Sequence, residues 1–202
     1  MKMVSIWNPK GGQGKSMISI NLAAAAVELG LKPLVICQDP QGTSTLFYNS
    51  HNLPFEVVSE IPEQTPDADL VIFDHQASDW ELPPCELVLM PTKPERSQYA
   101  TFADAKRMAE EAGKSIISVV TDGNMQRKNE KETVLALRQQ GAFEIRSSVA
   151  FSRAADDYRT IFDPVLNRVN NIKDRRKELE FILSAVLQGV NVNKENKDHV
   201  AA

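Results

Sequence analysis

Residues 8 to 16 read Asn-Pro-Lys-Gly-Gly-Gln-Gly-Lys-Ser, and their flanks limit the fold more than any other feature of the chain. Before them, Met3 to Trp7 (MVSIW) is a short apolar run of strand type; after them, Ser16 to Leu29 (SMISINLAAAAVEL) is an alanine-rich helical segment that Gly30 ends. Strand, glycine turn and helix in direct succession open a βαβ unit. Further runs at Pro33–Cys37, Leu70–Phe73, Leu87–Met90 and Ser115–Val120 are apolar without alternation, as strands covered on both faces are. Helical patterns fall at Glu95–Ala112, after Pro94, and at Asn129–Gln140, before Gly141. The expected fold is therefore α/β, a mostly parallel twisted sheet flanked by helices on both faces. Ile145–Phe151 is expected as a sixth strand, and Asp174–Gln188 as an amphipathic helix with Leu179, Ile182, Leu183, Val186 and Leu187 on its apolar face. His51–Asp69 reads as a plain connection. Residues 1–190 are expected to form a single domain, and residues 191–202 (NVNKENKDHVAA) a polar, frayed tail.

A chain of 202 residues, 42% of them hydrophobic, has enough apolar surface for one sizeable core. No run of about 18 apolar residues would span a bilayer and no early run resembles a signal peptide, so a cytoplasmic location is expected. Cys37 and Cys85 stand far apart without metal-ligand spacing, which reads as two buried thiols in a reducing compartment. The net charge of −4 is unevenly spread: residues 145–177 carry 8 Lys and Arg against 4 Asp and Glu.

Gly11, Gly12 and Gly14 allow backbone N–H groups to converge on phosphate oxygens, and the following helix adds its positive end. Lys15 would then neutralise β- and γ-phosphate charge, with the Ser16 hydroxyl on a bridging Mg²⁺. This is P-loop NTPase chemistry, and it places the nucleotide on the segment Lys10, Gly11, Gly12, Gln13, Gly14, Lys15, Ser16 and Met17. A second lysine, Lys10, stands where the ordinary loop begins with glycine.

Lys10-Gly11-Gly12-Gln13-Gly14-Lys15-Ser16 resembles the KGGxGK[ST] signature of the ParA/MinD family of deviant P-loop ATPases. The resemblance implies ATP and Mg²⁺ as ligands, and a Lys10 that reaches across a homodimer to the partner's nucleotide, with Lys10 and Lys15 both serving catalysis. Gln38-Asp39-Pro40-Gln41 resembles the end of the family's switch segment, making Asp39 the residue that positions the attacking water and approaches the metal. A turn residue before Pro40 is the other reading of Asp39. Leu70–Asp74 (LVIFD) looks like a Walker B strand, with Asp74 holding a magnesium-bound water at the strand end. Cys37 replaces the family's usual first switch aspartate, which is either a departure that slows hydrolysis or a small residue closing a buried strand. His75 reads as a hydrogen-bonding structural group, and Met90-Pro91-Thr92 resembles the family's strand-to-proline turn.

The early loop makes the chain similar to the small, ParF-like partition type. That likeness implies an ATP-dependent dimer that binds DNA non-specifically, collects on the nucleoid when ATP-bound, and drives plasmid or chromosome partition with a ParB- or ParG-like DNA-binding partner. Arg146, Arg153, Arg159, Arg168, Arg175 and Arg176, with Lys173 and Lys177, are the candidate DNA contacts. Their alternative is a solvated helical face paired with Asp156, Asp157, Asp163 and Asp174. No membrane contact is expected, because the last helix has the apolar content of one packed on the sheet. A MinD-like or cargo-positioning ATPase, and a nucleotide-gated binding module with weak hydrolysis, remain as alternatives.

Overall fold

The computed structural model describes residues 1–39, 42–123 and 125–189; the expected tail from residue 191, with Pro40 and Gln41 of the switch segment, lies outside them. The elements follow in the order β1 (Lys2–Ile6), α1 (Lys15–Glu28), β2 (Pro33–Cys37), α2 (Thr43–Asn49), β3 (Glu56–Val58), β4 (Leu70–Asp74), β5 (Leu87–Thr92), α3 (Arg96–Glu111), β6 (Ser115–Gly123), α4 (Lys128–Gln139), β7 (Phe143–Arg146), α5 (Val149–Asp156), a 3₁₀ turn (Pro164–Arg168) and α6 (Ile172–Gln188). The seven strands lie in the order β3-β2-β4-β1-β5-β6-β7, and every pair is parallel.

Strand alternation divides the core. Val4 and Ile6 of β1 and Leu70 and Ile72 of β4 face the cluster that takes in α1, α5 and α6. Trp7, Val88 and Met90 face the cluster beneath Phe102 of α3 and Val134 and Leu137 of α4. A third cluster holds Leu34, Ile36, Val71, Phe73 and Cys85, so Cys85, in the segment leading into β5, packs with side chains of β2 and β4, and Val58 and Ala68 pack against them. Helix α1 is buried continuously from Ile18 to Ala26. Its run of four alanines lets it lie close to the sheet on one side and α6 on the other.

Two expectations are corrected. The connection His51–Asp69 contains an edge strand, β3, whose Leu34–Glu56 and Ile36–Val58 pairings with β2 are non-local and leave only a three-residue signal. The expected strand Ile145–Phe151 is two elements. Strand β7 stops at Arg146, and Ser148 caps α5 by accepting a hydrogen bond from the Ala150 N–H. Among the described residues no helix is long and apolar enough to cross a membrane.

Candidate nucleotide-binding site

The sheet's connections diverge at β1, which lies between β4 and β5, and the crevice at the carboxyl ends of such strands is where α/β folds bind ligands. The glycine loop leaves β1 at that point. Gly12 and Gly14 have φ of +74° and +88°, a backbone region costly to side-chain-bearing residues. Gly14 forms the amino-terminal cap of α1, no acidic residue occupies the helix's first turn, and the positive end of the helix is thus left uncompensated by the chain.

Two polar side chains hold the loop: Asn8, which the sequence expectation did not include, and Gln13, for which it gave no such tethering role. Buried Asn8 donates from Nδ2 to the Pro91 carbonyl (2.7 Å) and accepts the Lys10 N–H on Oδ1 (2.8 Å). Gln13, also buried, accepts the Lys93 N–H on its side chain (2.9 Å) and donates to Gln98 Oε1 (2.6 Å), while its carbonyl accepts from Thr121 Oγ1 (3.1 Å). These bonds tie the loop to β5, α3 and β6. No local signal marks the contacts to Pro91, Lys93, Gln98 and Thr121, because each spans 80 residues or more.

The two lysines have different surroundings. Lys15 is 7% exposed, and its ammonium donates to the carbonyls of Asn8 (3.1 Å) and Lys10 (3.3 Å). Burial lowers its pKa against the opposing attraction of Asp74 and Asp39, which therefore both lie within electrostatic reach. The Lys10 side chain is exposed on the outside of the loop.

Parallel pairing of β2 with β4 sets Cys37 opposite Asp74, and the Gln38 N–H donates to the Asp74 carbonyl (2.9 Å), bringing Asp39 toward the same site. Cys37 is buried, with its thiol 3.8 Å from the Asp39 carbonyl. Asp74 is fully buried; its Oδ2 accepts from Ser44 Oγ of α2, and its Oδ1 has no hydrogen-bond partner among the described residues. Burial raises the Asp74 pKa, opposed by the hydroxyls of Ser44, Ser16 and Ser19 and by Lys15. An all-oxygen set of Ser16, Asp74 and Asp39 beside a phosphate cradle fits Mg²⁺, which takes few protein ligands and keeps its waters. Oδ1, which takes no hydrogen bond from the described residues, is where such a water could donate. Ser44 ties the helix after the switch segment to this carboxylate, and sequence reading missed it.

His75 is buried, its Nε2 lies 3.0 Å from Ser5 Oγ, and its ring stacks on Phe73. Burial lowers its pKa to about 4, which makes it a neutral structural group at physiological pH, as expected. Beyond Gly14 the loop opens into a cleft of about 430 Å³ lined by Met17, Thr121, Asp122, Ile145, Val149 and Phe151 among others. This is the size of a small-ligand pocket. Part of its wall is the segment whose strand assignment is corrected above.

The candidate DNA residues separate into two groups. Arg175 is 4% exposed and pairs with Glu178 (2.7 Å). Arg176 donates to the carbonyls of Ile161 (2.8 Å) and Asp163 (3.2 Å) and lies over the Phe162 ring. Arg159 pairs with Asp163 (2.6 Å), and Arg146 with Glu144 and Glu178. Arg175 and Arg176 are therefore removed from the DNA-facing set: a guanidinium spent inside the fold cannot neutralise a phosphate without breaking those contacts. Arg153, Arg168, Lys173 and Lys177 are exposed and form no ion pair among the described residues.

The family described as "AAA domain" matches residues 1–101, half of the chain. The sporulation initiation inhibitor protein Soj of Bacillus subtilis (strain 168) is 43% identical over 44 residues, which are 22% of this chain and 17% of that protein. A plasmid partition protein of Borrelia burgdorferi B31, solved bound to AMPPNP, superposes with a TM-score of 0.70 at 16% identity over 94% of this chain and 99% of its own. The septum site-determining protein MinD of Pyrococcus horikoshii OT3, solved with Mg-ADP, gives 0.67 at 15% identity over 92% and 98%. These likenesses share the seven-stranded α/β fold, and with the deviant glycine loop at its switch point the chain belongs to the ParA/MinD family of P-loop ATPases.

Proposed function

We propose that this protein is a ParA-like ATPase whose two loop lysines serve two different nucleotides, so that Mg·ATP holds a pair of chains together until it is hydrolysed. The observation that carries the reading is the separation of those lysines: Lys15 is drawn into the loop, whereas Lys10, five residues earlier, is exposed beside it. One buried cation is sufficient for the protomer's own phosphates. The outer cation is placed for a polyanion presented from outside, and a charge-assisted contact there would form only in the assembled state.

Within each protomer, Ser16 and Asp74 would hold the magnesium shell, and Asp39 would orient the attacking water in line with the γ-phosphate. Hydrolysis would be slow and stimulated by a ParB- or ParG-like partner. The exposed cations Arg153, Arg168, Lys173 and Lys177 support non-specific duplex binding by the dimer, which places two copies of each on one DNA. Plasmid or chromosome partition is the task that such a cycle performs.

The test is Lys10→Ala, with Lys15→Ala beside it. Lys15→Ala should lose nucleotide binding in the monomer. Lys10→Ala should keep it but fail to dimerise with a slowly hydrolysed ATP analogue in analytical ultracentrifugation, and should lose duplex binding with it. A Lys10→Ala dimer that persists refutes the cross-subunit role.

A further inference from the structure

Asp122 and Lys93 frame one edge of the cleft beside the glycine loop, and the fold goes out of its way to place them there. The pairing of β6 with β7 shifts register between Thr121 and Gly123, leaving Asp122 as the extra residue of a bulge. Its φ is +55°, in the left-handed region that residues other than glycine seldom occupy. Bulges beside active sites re-aim a side chain. The Asp122 carboxylate meets the Lys93 ammonium at 3.2 Å, yet its side chain is 53% exposed, and an ion pair that exposed contributes too little stability to account for the conformation.

The pair is also held in register with the phosphate cradle. Gln13 of the loop accepts the Lys93 N–H on its side chain (2.9 Å) and, on its carbonyl, the hydroxyl of Thr121, the residue before Asp122 (3.1 Å), so one loop residue holds Lys93 and the strand that carries Asp122. The cleft is also lined by Val149 and Phe151, apolar surface of the kind that takes the faces of a planar ring. A nucleotide with its phosphates on Gly12 and Gly14 would bring its base into this cleft, with Asp122 and Lys93 at the base's edge.

We propose that Asp122 and Lys93 read the base and that they admit guanine, so that this site takes GTP as well as ATP; the inference rests on the nucleotide reading above. A carboxylate only accepts hydrogen bonds, and an ammonium only donates them. Guanine offers two adjacent donors, N1–H and the N2 amine, to the two carboxylate oxygens, with O6 as an acceptor for lysine. Adenine offers its N6 amine and a neighbouring ring nitrogen. Both bases are satisfied, and guanine makes one contact more with the carboxylate.

Competition against a fluorescent ATP analogue tests this on the full chain. GTP should displace the analogue at or below the concentration that ATP needs, and ITP, which lacks the N2 amine, should be weaker than GTP by roughly tenfold, the value of one hydrogen bond to a charged group. Asp122→Ala should bring GTP and ITP together while ATP still binds. Asp122→Asn should bind XTP better than GTP, because xanthine carries an acceptor where guanine carries the amine. A GTP to ITP ratio unchanged by Asp122→Ala, or GTP that fails to compete at hundredfold excess where ATP competes, overturns the inference. Failure of every nucleotide, ATP included, would instead remove the nucleotide reading on which it rests.

Discussion

Acidification should destabilise this protein through His75, and the size of the effect follows from where the ring lies. Its 6% exposure, its contact with Ser5 Oγ and its stacking on Phe73 leave the imidazolium little solvation, and burial lowers the pKa from 6.5 to about 4. A lowered folded-state value means that the unfolded chain takes up the proton first as pH falls. The stabilisation is fully present above pH 6.5 and is lost progressively down to pH 4, up to about 3 kcal/mol in all and about 2 kcal/mol by pH 5. Asp74, whose pKa burial raises, works in the opposite sense over its own range, so the wild-type curve alone does not isolate the histidine. The comparison is with His75→Gln, which keeps an amide near the Nε2 position, does not titrate, and leaves Asp74 in place. Urea unfolding at pH 7.5 and pH 5 should show the wild type losing about 2 kcal/mol more than the variant. Equal losses, or an imidazole that titrates near 6.5 by NMR, would refute the argument.

Asp39→Ala should leave binding of a slowly hydrolysed ATP analogue within about threefold of wild type while phosphate release falls by roughly 100-fold, because water orientation matters to the transition state and not to the ground state. Equal losses in calorimetric affinity and turnover would make Asp39 structural. Arg175→Ala should cost about 2 kcal/mol in urea unfolding, since it removes the 2.7 Å partner of the partly buried Glu178 carboxylate and leaves it only the more exposed Arg146; a loss below about 1 kcal/mol would refute the inward role of Arg175. By contrast, Arg153 and Lys177 changed together to Glu should leave the unfolding midpoint within about 1 kcal/mol of wild type and weaken duplex binding with a reduced salt slope, and unchanged DNA affinity would clear this face of any role.

Local features were legible in the order of residues along the chain. The order strand, glycine loop, helix lies within the first 30 residues, and the spacing of Gly12, Gly14, Lys15 and Ser16 is contiguous, so one turn of backbone carries the whole phosphate cradle. Unbroken apolar runs likewise reported strands covered on both faces, and Asp74 was legible as the residue ending one of them. Tertiary structure decided what depends on partners far along the chain. Composition showed eight cations in residues 145–177, but only packing turned Arg175 and Arg176 inward, because a guanidinium beside Glu178 or under carbonyl oxygens is better satisfied than one in a bare core. The edge strand β3, the Ser44 hydroxyl on Asp74 and the Gln13 contacts to Lys93 and Thr121 all join segments 22 to 108 residues apart, with no periodicity to announce them. Asp122 is the sharpest case. In sequence it is one more aspartate before a glycine, and only a shift of register between two neighbouring strands sets its carboxylate against Lys93 at the mouth of the cleft.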